Sequence, residues 1–283
     1  MATRKSKAKQ TYRVFRLTSW EAFLRLIVQP PYSHWAFRGE RDERWPLYSS
    51  LSRYLMNFGV DRRAWPEQEG RILRVFKRKA HQFLEQPPDA DDDFQWLALM
   101  QHHGAPTRLL DFTWSPFVAA FFALERATAP AAVWALCLPE IWKAKHKFPG
   151  RKALVTEDEL GLRIPGNYER FFLGNEVPFV VTGEPLVMNQ RLVAQSGTFV
   201  VPGVLDRPVE DVLSVYPSPE RTVVKFVLDT AKVRDEAMFN FYNMNITNAT
   251  LFPGLDGMAR SLSYELEFHW AYDPKTMMRF PGY

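Results

Sequence analysis

A single cysteine is all the thiol chemistry in this chain of 283 residues, so no internal disulfide framework can form. Cys137 lies in the run Ala132-Val133-Trp134-Ala135-Leu136-Cys137-Leu138, where it reads as a small buried hydrophobe, and a reducing compartment fits. No apolar run approaches the ~18 residues a membrane helix needs, and the N-terminus lacks the apolar core of a secretory signal. A cytoplasmic protein without membrane contact is therefore expected. Charge of one sign is also scarce. The net charge is +4, and Arg4, Lys5, Lys7 and Lys9, with no acid among residues 1–10, bring as much by themselves. Residues 1–10 read as a disordered basic tail, and the nearly neutral body does not indicate a generic basic DNA-binding face, local basic clusters aside. The cluster Arg71, Arg74, Lys77, Arg78 and Lys79 alternates with apolar positions and reads as a solvated helix face.

The common catalytic signatures are missing too. There is no glycine-rich phosphate loop, no His-Glu-x-x-His, no Gly-x-Ser-x-Gly and no Cys-x-x-Cys. No metal site is expected, because His102 and His103 are adjacent and point in different directions while the other histidines are scattered.

What is present is core material: 46% apolar residues and 14% aromatics, including 9 Trp and 22 Phe. Residues 11–283 read as one elaborated domain. Ser19 caps a helix over Glu21 to Val28, which stops before Pro30-Pro31. Trp35 to Gly39 reads as a short strand and Glu67 to Leu84 as a helix. From Phe94 onward the expectation is helix, Gly-Pro turn, a strand at Arg108 to Phe112, then Ser115 as N-cap and Pro116 at the first position of a buried helix. Further strands are predicted at Val133 to Leu138, Phe179 to Thr182, Gly197 to Val201, Thr222 to Leu228 and Tyr264 to Trp270, with a late helix over Arg234 to Asn243. The absence of a strict βαβ rhythm favours α+β.

Arg38 and Arg108 each lie inside an apolar run, and a buried guanidinium must meet a carboxylate, a phosphate or carbonyl groups. Internal pairs would satisfy this, Arg38 with Glu40 or Asp111 and Arg108 with Asp111, and such a pair can still line a pocket. The His102-His103 pair either caps its own helix end or accepts a proton near neutral pH. Arg38, Arg108, Asp111, Gln101, His102 and Gln195 are expected to converge on one cleft. Gly257 is expected to sit in a tight turn at the mouth of a helix, needing positive φ or a close backbone approach.

Four segments carry a family resemblance: Ala36 to Glu40, Gln101 to Pro116, Asn189 to Phe199 and Leu251 to Ala259. Together they resemble the FRG-domain family, named for a Phe-Arg-Gly tripeptide that stands here as Phe37-Arg38-Gly39. The order of elements is also similar to that of ADP-ribosyltransferases, which implies split, twisted sheets with flanking helices. In that likeness Arg38 and Gly39 match the strand whose Arg contacts the phosphates of NAD, the co-substrate. Thr113 and Ser115 match the hydroxyl positions of a Ser-Thr-Ser strand end, with Asp111 in place of the leading Ser. Gln101 and Arg108 are assigned with them to dinucleotide binding. The third motif, a strand with a catalytic Glu, is met by Gln195-Ser196-Gly197-Thr198-Phe199, which offers Gln and no Glu.

Asp111, His102, Gln195 and Glu265 are therefore the candidate catalytic residues, with Glu40 as a further carboxylate. The resemblance implies a bacterial toxin or antiviral defence effector. Its acceptor would be a nucleic acid, nucleotide or protein, and an inhibitory protein partner is admissible. The alternative is a nucleotide or nucleic-acid binding module without catalysis, in which Arg38, Arg108 and Arg191 clasp phosphate and aromatics stack on bases. A divalent-ion hydrolase finds no second acid near Asp111.

Overall fold

The computed structural model describes residues 12–281. The expected basic tail lies outside them. Nine strands are present among the described residues: β1 (Arg13–Leu17), β2 (Trp35–Glu40), β3 (Leu110–Thr113), β4 (Ala131–Cys137), β5 (Lys145–His146), β6 (Val155–Thr156), β7 (Val180–Gly183), β8 (Gly197–Pro202) and β9 (Val223–Leu228). Seven form one sheet in the order β1-β9-β4-β2-β3-β8-β7, and β5 and β6 make a separate ribbon. Only β1 on β9 is parallel; every other pair is antiparallel. This mixed sheet with its helices is the expected α+β architecture.

The helices of eight residues or more are α1 (Trp20–Ile27), α2 (Ser50–Asn57), α3 (Trp65–Ala80), α4 (Asp93–His102), α5 (Pro116–Leu124), α6 (Thr230–Asn243) and α7 (Leu255–Glu267). Ser19 caps α1 through the Ala22 amide, and Ser115 caps α5 through the Val118 amide with Pro116 following. β4 is buried along both faces apart from its last residue, because helices and loops cover it on each side. One core cluster joins α1, α5 and α6 to β1, β9, β4 and β2. A second joins α3 and α4 to β7 and β8. A third runs beneath the sheet through Ala36, Phe112, Trp134, Val180 and Val200, spanning both halves.

The sheet is not the split pair implied by the ADP-ribosyltransferase likeness. It is continuous, but its centre is thin: β2 and β3 share a single register pair, Phe37 with Thr113. On one side β2 pairs with β4 over six positions, and on the other β3 pairs with β8 over four. Past Phe37 the two central strands diverge, and the Arg38 side chain enters the gap, donating to the Asp111 carbonyl at 2.7 Å. A side chain there takes the place of a missing ladder hydrogen bond.

A further correction concerns Tyr264 to Trp270, which is not a strand; its first half completes α7. Gly257, Ser261, Tyr264 and Phe268 form the less exposed stripe at helical spacing, and Tyr264 stacks on Phe268 with ring centroids 4.4 Å apart. Gly257 shows the close approach rather than positive φ: a Cβ there would lie 1.8 Å from the Phe252 carbonyl oxygen. The positive φ belongs to Gly254, at 119°, just before the helix.

Candidate functional site

Two cavities meet at the place where β2 and β3 part. The larger, about 790 Å³, runs from Arg38 to Glu40 past Trp45, Tyr48 and Arg53 to Phe122, Glu125, Asn248, Phe252 and Arg260. The smaller, about 170 Å³, is lined by Arg38, Gly39, Asp111, Thr113, Arg191 and Gln195, among others. Arg38, Gly39 and Phe122 belong to both, so the two basins form one groove across Arg38.

Each wall has a local cause. Gly39 is required by packing, since a Cβ there would stand 2.0 Å from the Ala119 carbonyl oxygen. The backbone of α5 therefore lies directly on β2, and Phe122 and Glu125 of that helix reach the groove. Arg38 donates to Glu40 at 2.7 Å, with side chains 18% and 9% exposed. Asp111 is exposed, and its carboxylate accepts from the Gln101 Nε2 at 2.8 Å, while Thr107 donates to Gln101 Oε1 at 2.7 Å. Gln101 thus orients Asp111 from behind. The Thr113 hydroxyl donates to the Gln195 carbonyl at 2.7 Å and accepts the Ser115 amide at 3.0 Å. Gln195 in turn donates its side-chain amide to the Leu251 carbonyl at 3.0 Å, tying β3 to the short helix Asn248–Leu251.

The charge is predominantly positive. Arg38 is offset by Glu40, and Arg126 by Glu125, which also accepts from Asn248 at 2.6 Å. Arg41, Arg53, Arg191 and Arg260 make no ion pair with a carboxylate among the described residues. Arg41 stands over Trp45, Arg53 donates to the Tyr48 carbonyl, and Arg191 and Arg260 stand 4.7 Å and 5.1 Å from the Phe252 ring centroid. Burial lowers the Arg191 pKa, with Asp111 opposing the fall and Arg260 adding to it; burial and the neighbouring Arg38 lower that of Arg53. A polyanion bound here would relieve both.

The structure thus brings together Arg38, Gly39, Asp111, Thr113 and Gln195, with Gln101 one shell behind. Other expected members fall elsewhere. Arg108 lies before β3 and is fully buried, held by both oxygens of Glu69 and by the Pro202 carbonyl. Tyr168 completes that pair by donating to Glu69 at 2.6 Å, so no guanidinium face is left for a cofactor. Glu265 sits exposed on α7 beside another cavity, about 430 Å³, framed by α6 and α7. Ser115 spends its hydroxyl on the helix cap. His102 lies at the end of α4 against His103, and burial, then His103 and Arg191, lower its pKa. Among the described residues no group of three or more His, Cys, Asp or Glu is arranged to hold a metal ion.

Sequence reasoning missed Arg53, because residues 50–57 were not read as a helix, and missed Arg260, which falls between the turn expected at Gly257 and the strand expected from Tyr264. Phe252 and Asn248 could have been found as the segment that must pack around a glycine with no room for a side chain.

Compared with known protein families, the N-terminal half of the chain gives one match. Residues 33–132 match the FRG domain. No curated protein matches the chain, and no solved structure does. The FRG segment carries β2, α2 to α5 and β3, and hence Arg38, Gly39, Gln101, Asp111 and Thr113. Arg191, Gln195, Asn248, Phe252 and Arg260 come from beyond it, so the FRG segment forms one wall of the groove and the rest of the chain forms the other.

Proposed function

We propose that the groove binds a nucleotide through its phosphates, and that the nucleotide is NAD, from which the protein transfers ADP-ribose to a nucleic acid, nucleotide or protein acceptor. One observation carries the binding reading: arginines without carboxylate partners line two joined basins that also present Trp45, Tyr48, Phe122 and Phe252. Guanidinium forks suit phosphate, aromatic faces suit bases, and the larger basin falls within the ~300–1,000 Å³ usual for small-molecule sites. Two basins joined at Arg38 suit a ligand with planar groups at both ends of a phosphate bridge.

For transfer, the bond between nicotinamide nitrogen and ribose C1′ breaks, and its electron pair leaves with nicotinamide. The acceptor forms the new bond to C1′ and loses its proton to a base. Asp111, held by Gln101 in the smaller basin, is the carboxylate suited to stabilise the cationic ribose. The role as a bacterial toxin or antiviral effector, with an inhibitory partner, rests on the resemblance alone. Binding without turnover is the second reading, favoured by Gln195: it stands where the likeness would want Glu, and its amide is already committed to Leu251.

The test is nicotinamide release from NAD with cell nucleic acid or protein extract, alongside thermal melting with NAD, ADP or adenosine. We expect NAD and ADP to stabilise the protein and adenosine to do so less, and Asp111→Asn to abolish release while keeping the NAD-dependent rise in Tm. Stabilisation without release would establish the second reading. No stabilisation by millimolar NAD or ADP would overturn both.

A further inference from the structure

A further cavity, about 550 Å³, lies by β7 at the edge of the sheet and shares no lining residue with the groove. Two indoles frame it, Trp114 at 40% and Trp142 at 47% exposed. Their rings are fixed: the Trp114 Nε1 donates to Glu184 at 3.1 Å and the Trp142 Nε1 to the Thr182 hydroxyl at 2.9 Å. Tryptophans held in place with exposed rings offer π-faces to a cation.

The electrostatics of the wall ask for one. Glu157 is only 8% exposed, and its Oε1 accepts the Thr182 amide at 3.2 Å. No cation pairs with it among the described residues, and burial pushes its pKa up. Asp158 stands beside it. The one cation in the lining, Arg163, is taken up by Glu184, donating to its carbonyl at 2.7 Å and lying 3.8 Å from its carboxylate. Glu157 and Asp158 are left uncompensated, and a buried carboxylate without a cation is costly.

Next to the cavity the chain displays Leu186 and Val187, 80% and 67% exposed. Gln95 clamps this loop by donating to the Val187 carbonyl at 2.8 Å and accepting its amide at 3.1 Å. Apolar side chains held out on a pinned loop beside a charged pocket are what a protein partner covers.

We propose that this cavity is a docking pocket for an arginine or lysine side chain of a partner protein, whose flanking apolar residues rest on Leu186 and Val187. The cation enters between the two indoles and pairs with Glu157. The proposal is independent of nucleotide binding in the groove.

The full chain is titrated, by calorimetry and tryptophan fluorescence, with acetyl-Leu-Arg-Leu-amide, with its citrulline counterpart, and with acetyl-arginine methylamide. The arginine tripeptide is expected to bind about tenfold or more tighter than the neutral citrulline one, the equivalent of one charge-dependent contact. Glu157→Gln, which keeps an oxygen for the Thr182 amide, and Trp142→Phe should each erase most of that preference, and Glu157→Gln should do so without lowering Tm in the absence of peptide. Equal binding of the two tripeptides, no binding of either, or an unaltered preference in Glu157→Gln would overturn the proposal. Acetyl-arginine methylamide binding as tightly as the tripeptide would overturn the protein partner in favour of a small cationic ligand.

Discussion

Removing the Arg108 guanidinium would leave the Glu69 carboxylate, 2% exposed, with only the Tyr168 hydroxyl to hold it. Arg108→Ala should therefore cost about 3 to 5 kcal/mol in chemical denaturation, and replacing both partners by Met should recover most of that loss. A double variant as unstable as the single one would show that packing, and not the stranded charge, is what is lost. The same logic applies to Arg38 in weaker form, since its removal strands Glu40. Arg38→Ala therefore lowers stability as well as affinity, and Arg191 and Arg260, which stand against the Phe252 ring and make no ion pair among the described residues, are the cleaner probes. Each changed to Ala should leave stability within about 1 kcal/mol of the parent while weakening binding of ADP more than of adenosine. The sequence shows why Arg38 and Arg108 must both find partners, but not which partner. Glu69 is 39 positions from Arg108 and lies on a helix whose face reads as charged and solvated.

Among acids, Glu210 supplies a pH signature. It is 5% exposed, accepts the Leu47 amide at 3.1 Å, and burial raises its pKa to about 7 from an ordinary 4.5. Between those two values the folded state holds a proton that the unfolded chain has released, so stability from this group is full below about pH 4.5 and falls as pH rises towards 7. His146, its pKa lowered by burial, contributes the opposite slope below its ordinary 6.5. The difference between parent and Glu210→Gln isolates the acid: the variant should lack a fall of order 3 kcal/mol across that window. Parallel curves for the two proteins would refute the assignment.

At the level of elements, α5 depends on one glycine. Gly39→Ala places a methyl 2.0 Å from the Ala119 carbonyl oxygen, so the helix must lift from β2, at a cost of about 1 to 3 kcal/mol in melting experiments. Phe122 and Glu125 move with it, so nucleotide binding should weaken in the same variant; an unchanged Tm would mean that the contact is looser than described. The caps of α1 and α5 were legible because Ser19, Ser115 and Pro116 act locally. So were β2, β4, β7, β8 and β9, each within a residue or two, because their branched and aromatic runs end at Gly, Pro or Asp. The end of α7 was not, since Tyr264, Phe268 and Trp270 favour a strand locally, and only contact with α6 selects the helix; Tyr242 stacks on Tyr264 at 4.6 Å. β1 escaped for the opposite reason. It is a half-exposed edge with two arginines, Arg13 and Arg16, and its pairing with β9 lies more than two hundred residues away.

For the molecule as a whole, the groove exists only where distant segments meet: residues 38–53, 111–126, 191–195 and 248–260. The sequence marked part of each through the four segments that carry the family resemblance, but not how they assemble, because order along the sheet is set by non-local pairing. The FRG segment alone, residues 33–132, holds β2 and β3 without most of β4 or any of β8, which flank them. Expressed by itself it should fail to show cooperative unfolding or ADP binding; a soluble fragment that melts sharply would contradict this.

At its centre the sheet is seamed by a single backbone rung, Phe37 with Thr113, and by the Arg38 bond to the Asp111 carbonyl. A seam with so few backbone bonds opens more readily than a full ladder, and a ligand that touches Arg38 on one side and Arg191 on the other would stitch it shut. Amides along β2 and β3 beyond that rung should exchange hydrogen faster than those of β4 and β9 in the free protein, and slow selectively when the groove is filled.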